Sequence, residues 1–140
     1  MSRSIHVLMI EDNPGDAELT KEILEASKNG VEVTVASDGA EALELLRAGI
    51  LIRSEQPDLI LLDLNLPKLS GQHVLLELKR DESLRGIPVV VLTSSEAAND
   101  VTASYMLGAS CYLTKPLGLE AFQSTIRAVE SFWLMLTRLP

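Results

Sequence analysis

Five short apolar runs, each followed by a helical pattern, constrain this chain more than any other feature. The runs are Ile5–Ile10, Val31–Ala36, Leu59–Leu62, Val89–Leu92 and Cys111–Leu113. Three of the five are nearly continuous in apolar residues rather than alternating. Parallel strands covered on both faces read that way. The segments between them carry helix signals. Asn13-Pro14 places a good N-cap before a proline at the first helical position, where the missing N–H costs nothing. Leu19, Ile23 and Leu24 supply the stripe that follows. Asp38 and Glu41 have capping-box spacing, with Asp in place of Ser or Thr, and Leu43, Leu46 and Ile50 continue that helix. Val74, Leu75 and Leu78 mark a third helix and Val101 to Leu107 a fourth. Leu119, Phe122, Ile126, Val129 and Trp133 recur at the period of a long amphipathic helix. The order is β-α repeated five times, and right-handed crossovers would wrap helices over both faces of one parallel sheet.

A length of 140 residues fits one domain, residues 1–140, with a core that needs no disulfide. The lone cysteine, Cys111, allows no internal bridge and suits a reducing, cytoplasmic setting. A net charge of −8 disfavours nucleic acid and acidic membrane surfaces as partners. No signal peptide and no bilayer-spanning run is visible, so a soluble cytoplasmic domain is expected.

Chemistry-bearing residues follow the runs. Glu11-Asp12 ends the first, Asp63 the third, Thr93-Ser94 the fourth, and Thr114-Lys115-Pro116 the fifth. In an open parallel sheet, ligands bind beyond the carboxyl ends of the strands, so these groups are expected to converge. A charge at the end of a buried strand is expensive unless paired or bound to metal. Three carboxylates brought together repel one another, and a divalent cation relieves the repulsion. Oxygen-only donors without His or Cys point to Mg²⁺, with Mn²⁺ as an alternative. Thr93 offers a hydroxyl and Lys115 a positive charge to phosphoryl oxygens, and Asp63 is a carboxylate of the kind that accepts a phosphoryl group. Read singly, Asp63 could be a strand-end cap, Glu11 a solvated acid, Thr93 a turn cap and Tyr112 core filling. His6 and His73 lack partners at ligand spacing and read as structural; Cys111 reads as a small apolar packer.

Taken together, the acidic pair Glu11-Asp12, the block "DLNLP" around Asp63, Gly71, Thr93 and Lys115-Pro116 resemble a response-regulator receiver domain across nearly the whole chain. The resemblance implies a flavodoxin-like, doubly wound (βα)5 fold with strand order 2-1-3-4-5. It implies that Asp63 is phosphorylated from a phosphohistidine on a sensor histidine kinase. Asp12 and Asp63 would hold Mg²⁺, with Glu11 acting through water and Asn65 through its backbone carbonyl. Thr93 and Lys115 would contact the phosphoryl group, Thr93 and Tyr112 would form the switch, and the bond before Pro116 would be cis. Such a protein is no enzyme beyond its own phosphorylation and dephosphorylation.

The stretch "VVVLTSSEAANDVTASYMLGASCYLTKP" and the ending "VESFWLMLTRLP" are similar to the single-domain response regulators that serve cyanobacterial phytochrome kinases. That likeness implies a light-sensing kinase upstream. It also implies homodimer formation through a C-terminal extension, about residues 131–140. Large apolar groups crowd this tail, and Phe132, Trp133 and Leu136 are the expected interface residues, since an exposed apolar patch usually marks one. A phosphatase of the haloacid-dehalogenase type would instead need an acid two residues after Asp63, where Asn65 stands. A pseudo-receiver scaffold would not need the full residue set.

Overall fold

The computed structural model describes residues 5–48, 56–95 and 97–138. Side chains at 98 and 134–138 lie outside that description, as do Ile50 and most of the loop between the second helix and the third strand. The strands are β1 (Ile5–Ile10), β2 (Val31–Ala36), β3 (Leu59–Leu62), β4 (Val89–Thr93) and β5 (Cys111–Thr114). The helices are α1 (Pro14–Glu25), α2 (Gly39–Ala48), α3 (Gly71–Arg80), α4 (Ala98–Met106) and α5 (Leu119–Arg138). All strand pairs are parallel, in the order β2-β1-β3-β4-β5. The chain steps from β1 outward to β2, then back past β1 to β3. The order therefore reverses between β1 and β3, where such sheets open a crevice at their carboxyl ends.

Strand periodicity divides the core. Leu8, Ile10, Ile60, Leu62, Val89 and Val91 face one way and pack with Ala42, Leu46, Val74, Leu75 and Leu78 of α2 and α3. Val7, Met9, Leu59, Leu61, Val90 and Leu92 face the other way and meet Ala17 and Leu24 of α1 and Phe122, Ile126 and Val129 of α5. Every residue of β3 and β4 is buried, which is why those runs carry no alternation. Cys111 packs beside the second layer as a small apolar group.

The helix starts follow local chemistry. Asn13 Oδ1 accepts the Asp16 N–H at 3.0 Å, with Pro14 at the first position of α1. Asp38 Oδ1 accepts the Glu41 N–H at 2.8 Å, while Glu41 Oε1 reaches back to the N–H of Ser37 at 3.0 Å, one residue earlier than a standard capping box. Ser70 caps α3 by accepting the His73 N–H at 3.2 Å. α4 begins at Ala98, three residues ahead of the expected Val101, and no side chain caps it.

On α5 the expected stripe holds for Phe122, Ile126 and Val129, with Trp133 half-buried against the same layer. Leu119 departs from it and is 59% exposed. It opens the helix, a turn ahead of Phe122, where burial begins. His6 is buried in β1. The pairing of β1 with β2 sets it opposite Glu32, whose Oε2 lies 3.2 Å from Nδ1. It sits near the amino end of the sheet, away from the crevice.

Candidate functional site

The ladder continues one residue past the strand ends, and that extension aims the acidic groups. The Glu11 N–H donates to the Ala36 carbonyl at 3.0 Å and the Asp63 N–H to the Ile10 carbonyl at 3.1 Å. The Lys115 N–H donates to the Thr93 carbonyl at 2.7 Å. Backbones so fixed hold Glu11, Asp63, Thr93 and Lys115 around one point. Glu11, Asp63 and Thr93 are buried and Asp12 is exposed.

Asp63 is held by both oxygens. Its Oδ1 accepts the Thr93 hydroxyl at 2.7 Å and the Asn65 N–H at 3.0 Å. Its Oδ2 accepts the Lys115 ammonium at 2.9 Å. Burial opposes the charge on Asp63, but the bonds from Lys115, the Asn65 N–H and Thr93 outweigh it and hold the carboxyl below its usual range. Glu11 goes the other way. Burial, reinforced by the nearby Asp63 charge, pushes it up to about 7 against the pull of Lys115. Its Oε2 accepts the Asn13 N–H at 3.1 Å and its Oε1 the Lys115 ammonium at 2.5 Å. Lys115 loses solvation, yet its hydrogen bonds to Asp63, Glu11 and Asp16 keep it protonated beyond the ordinary lysine range.

Asp16 is the residue that sequence reasoning passed over. Its Oδ2 lies 2.9 Å from the Lys115 ammonium. A signal was present: an acid three residues after the N-cap that follows Glu11-Asp12 falls in the first turn of α1, at the rim of the crevice.

One oxygen from each of Glu11, Asp12 and Asp63 lies within 4.8 Å of the others. An oxygen-only set of that size suits a hard divalent cation, which completes its shell with water.

The turn after Asp63 depends on Gly71. Its N–H donates to the Leu64 carbonyl at 3.0 Å, and a Cβ there would fall 2.4 Å from the Asp63 carbonyl oxygen and 2.5 Å from Leu64 Cα. Only glycine lets α3 start that close to the strand end. The peptide bond before Pro116 corrects an expectation: no cis bond occurs among the described residues, so Lys115–Pro116 is trans. An X–Pro amide prefers trans by about 0.5–1 kcal/mol, and the trans chain already brings Lys115 to Asp63.

Tyr112 is half-buried against the first layer. Its hydroxyl donates to the Ser95 carbonyl at 2.7 Å, and its N–H donates to the Tyr105 hydroxyl at 3.1 Å. The Ser95 hydroxyl in turn donates to Asp100 at 2.5 Å, and Gln72 of α3 donates to the same carboxylate at 2.9 Å. The loop beyond Thr93 is thereby tied to α3, α4 and β5.

Away from the crevice, Phe132 is 44% exposed. It borders an apolar hollow of about 200 Å³ between β5 and α5, lined also by Val90, Cys111, Leu113, Ala128 and Val129. The side chain of Leu136, an expected interface residue, lies outside the described residues. No helix among the described residues is long and apolar enough to cross a membrane.

Residues 7–127 match the response regulator receiver domain family. The chain is 44% identical over 135 residues to response regulator Rcp1 of Synechocystis sp., covering 96% of this chain and 92% of that protein. Among solved structures it is similar to the phosphorylated cyanobacterial phytochrome response regulator RcpA, with a TM-score of 0.91, 42% identity and 99% of each chain covered. It is also similar to the Mn²⁺-bound form of response regulator Rcp1, with a TM-score of 0.88, 43% identity, and 97% of this chain and 99% of that one covered.

Proposed function

The chain belongs to the response regulator receiver domain family, and from that premise we propose that it accepts a phosphoryl group on Asp63 from the phosphohistidine of a sensor histidine kinase. The observation that carries this reading is the single buried contact set in which Asp63 meets Thr93, Lys115 and the Asn65 N–H.

Lone-pair counting selects the reacting atom. Asp63 Oδ1 already accepts two hydrogen bonds, whereas Oδ2 accepts one and keeps a lone pair. Oδ2 attacks phosphorus, the new O–P bond forms, and the P–N bond to the histidine breaks with its electron pair leaving on the imidazole. Lys115 then follows the negative charge onto a phosphoryl oxygen, and the Thr93 hydroxyl serves another. Glu11, Asp12, Asp63 and the Asn65 carbonyl are the groups that would hold Mg²⁺ or Mn²⁺, a cation whose contribution is to neutralise charge on the transferred group. Tyr112 and Thr93 act as the switch, with Ser95 and Asp100 as the connection to α4.

Several finer points belong to the same reading. The whole of residues 1–140 acts as one receiver unit in the cytoplasm, with no output enzyme activity of its own. The likeness to the phytochrome response regulator RcpA supports a phytochrome as the kinase. Phe132, beside its apolar hollow, supports a homodimer that also uses Trp133 and Leu136. Output then runs through phosphorylation-dependent pairing or partner binding.

The test is intact mass after incubation with Mg²⁺ and acetyl phosphate. Wild type gains one phosphoryl group and Asp63→Asn gains none. Equal labelling of the two, or none of either, refutes the assignment.

A further inference from the structure

Lys115 has three ammonium protons and three carboxylate acceptors within reach: Glu11 at 2.5 Å, and Asp16 and Asp63 at 2.9 Å each. Glu11 and Asp63 have competing duties. Both belong to the three-acid set that would close on a cation, and Asp63 Oδ2 is the atom assigned to phosphorus. Asp16 has neither duty and lies outside that set. Its tie to the helix cap is made by its backbone N–H, bonded to Asn13 at 3.0 Å, so its carboxylate is at the disposal of the lysine. The lysine side chain is only 10% exposed, against 34% for Asp16, so Asp16 closes the site on its solvent side.

We infer that Asp16 is a positioning residue for Lys115. It retains the ammonium beside Asp63 when Glu11 and Asp63 turn toward the cation and the phosphoryl group. The inference rests on the reading of Asp63 as phosphoacceptor. The physical need is plain. Lys115 is a point charge on a flexible four-carbon stem, and it must release its bond to Asp63 Oδ2 as the new O–P bond forms. Until a phosphoryl oxygen takes it up, an ammonium without another anchor would leave the site for water. Asp16 supplies that anchor from the rigid first turn of α1, and it does so without occupying a cation ligand.

The test compares wild type with Asp16→Asn, which is isosteric and keeps the backbone cap, and with Asp16→Glu. The first readout is modification of Lys115 by sparing acetic anhydride, followed by peptide mass spectrometry, with and without saturating Mg²⁺. In wild type Lys115 stays protected in both conditions. In Asp16→Asn protection with Mg²⁺ falls about tenfold, while the loss without Mg²⁺ is small because Glu11 and Asp63 still hold the ammonium. A general loosening of α1 would expose the lysine equally in both conditions, so equal loss overturns the inference. The second readout is phosphorylation by acetyl phosphate with Mg²⁺. Asp16→Asn slows it about tenfold and Asp16→Glu restores most of the rate. If Asp16 acted only by repelling the anionic donor, its removal would speed the reaction, and that result overturns the inference, as does an unchanged rate. Failure of wild type to take up phosphate would refute the assignment of Asp63 instead, and the protection data would still decide whether Asp16 anchors the lysine.

Discussion

Glu11 and Asp63 are buried carboxylates at neighbouring strand ends, yet their acidities part in opposite directions. The difference lies in hydrogen-bond donors. Asp63 has three donors on two oxygens, whereas Glu11 shares Lys115 with two other acids and is left with a larger uncompensated burial. The sign of the consequence for stability follows from proton binding. Glu11 rises from 4.5 to about 7, so the native chain holds its proton more tightly than the unfolded chain does. Its contribution is complete below pH 4.5 and is lost as pH rises through about 7. Asp63, depressed, contributes in the reverse sense, above its ordinary 3.8 and lost as pH falls, which places it below the Glu11 window. With divalent cations chelated, the urea midpoint of wild type is expected to fall relative to Glu11→Gln between about pH 5 and pH 7.5, and Mg²⁺ should erase the difference. Parallel midpoints across that range would contradict this account.

Elements enter through the way helices meet strand ends. Gly71 and Gly86 make a matched pair for testing this. A Cβ on Gly71 would strike backbone atoms of Asp63 and Leu64, which cannot swing aside, while a Cβ on Gly86 would meet nothing within 4 Å. Gly71→Ala is therefore expected to cost about 1–3 kcal/mol in chemical denaturation. It should also slow phosphorylation, because the displaced segment carries Asp63 and the Asn65 N–H. Gly86→Ala should be neutral or stabilise by roughly 0.4–1 kcal/mol through the unfolded chain. A mild effect at Gly71 with normal labelling would show that the turn has slack the geometry denies. At this scale much was legible beforehand. Strand runs matched the observed strands to within a residue, and in β3 and β4 burial on both faces leaves an unbroken apolar signature. Helix starts were legible at Asn13 and Asp38, where a side chain caps the backbone, and not at α4, where none does.

Across the whole molecule, the carboxyl rim of the sheet and the β5–α5 face are two surfaces, among the described residues, with groups left to bind. The rim concentrates acid and one lysine. The β5–α5 face is apolar, with Phe132 standing 44% exposed at its border. Since Phe132 is not part of either core layer, Phe132→Glu should change folding stability by no more than about 0.5 kcal/mol. It should also convert any dimer to monomer in light scattering while leaving Asp63 labelling intact. A dimer that survives this change would have to be held elsewhere.

Local chemistry in the chain was sufficient to determine the β-α alternation, the two-layer core and the inventory of acids, hydroxyl and lysine at the strand ends. Periodicity and capping act over a few residues, so they can be read without coordinates. Only the tertiary structure decided how that inventory is wired. Lys115 contacts Asp16 across 99 positions and Glu11 across 104, and which carboxylates it reaches depends on the strand order that brings β1, β3 and β5 to one rim. The pairing of His6 with Glu32 was settled in the same way, by the register of β1 against β2.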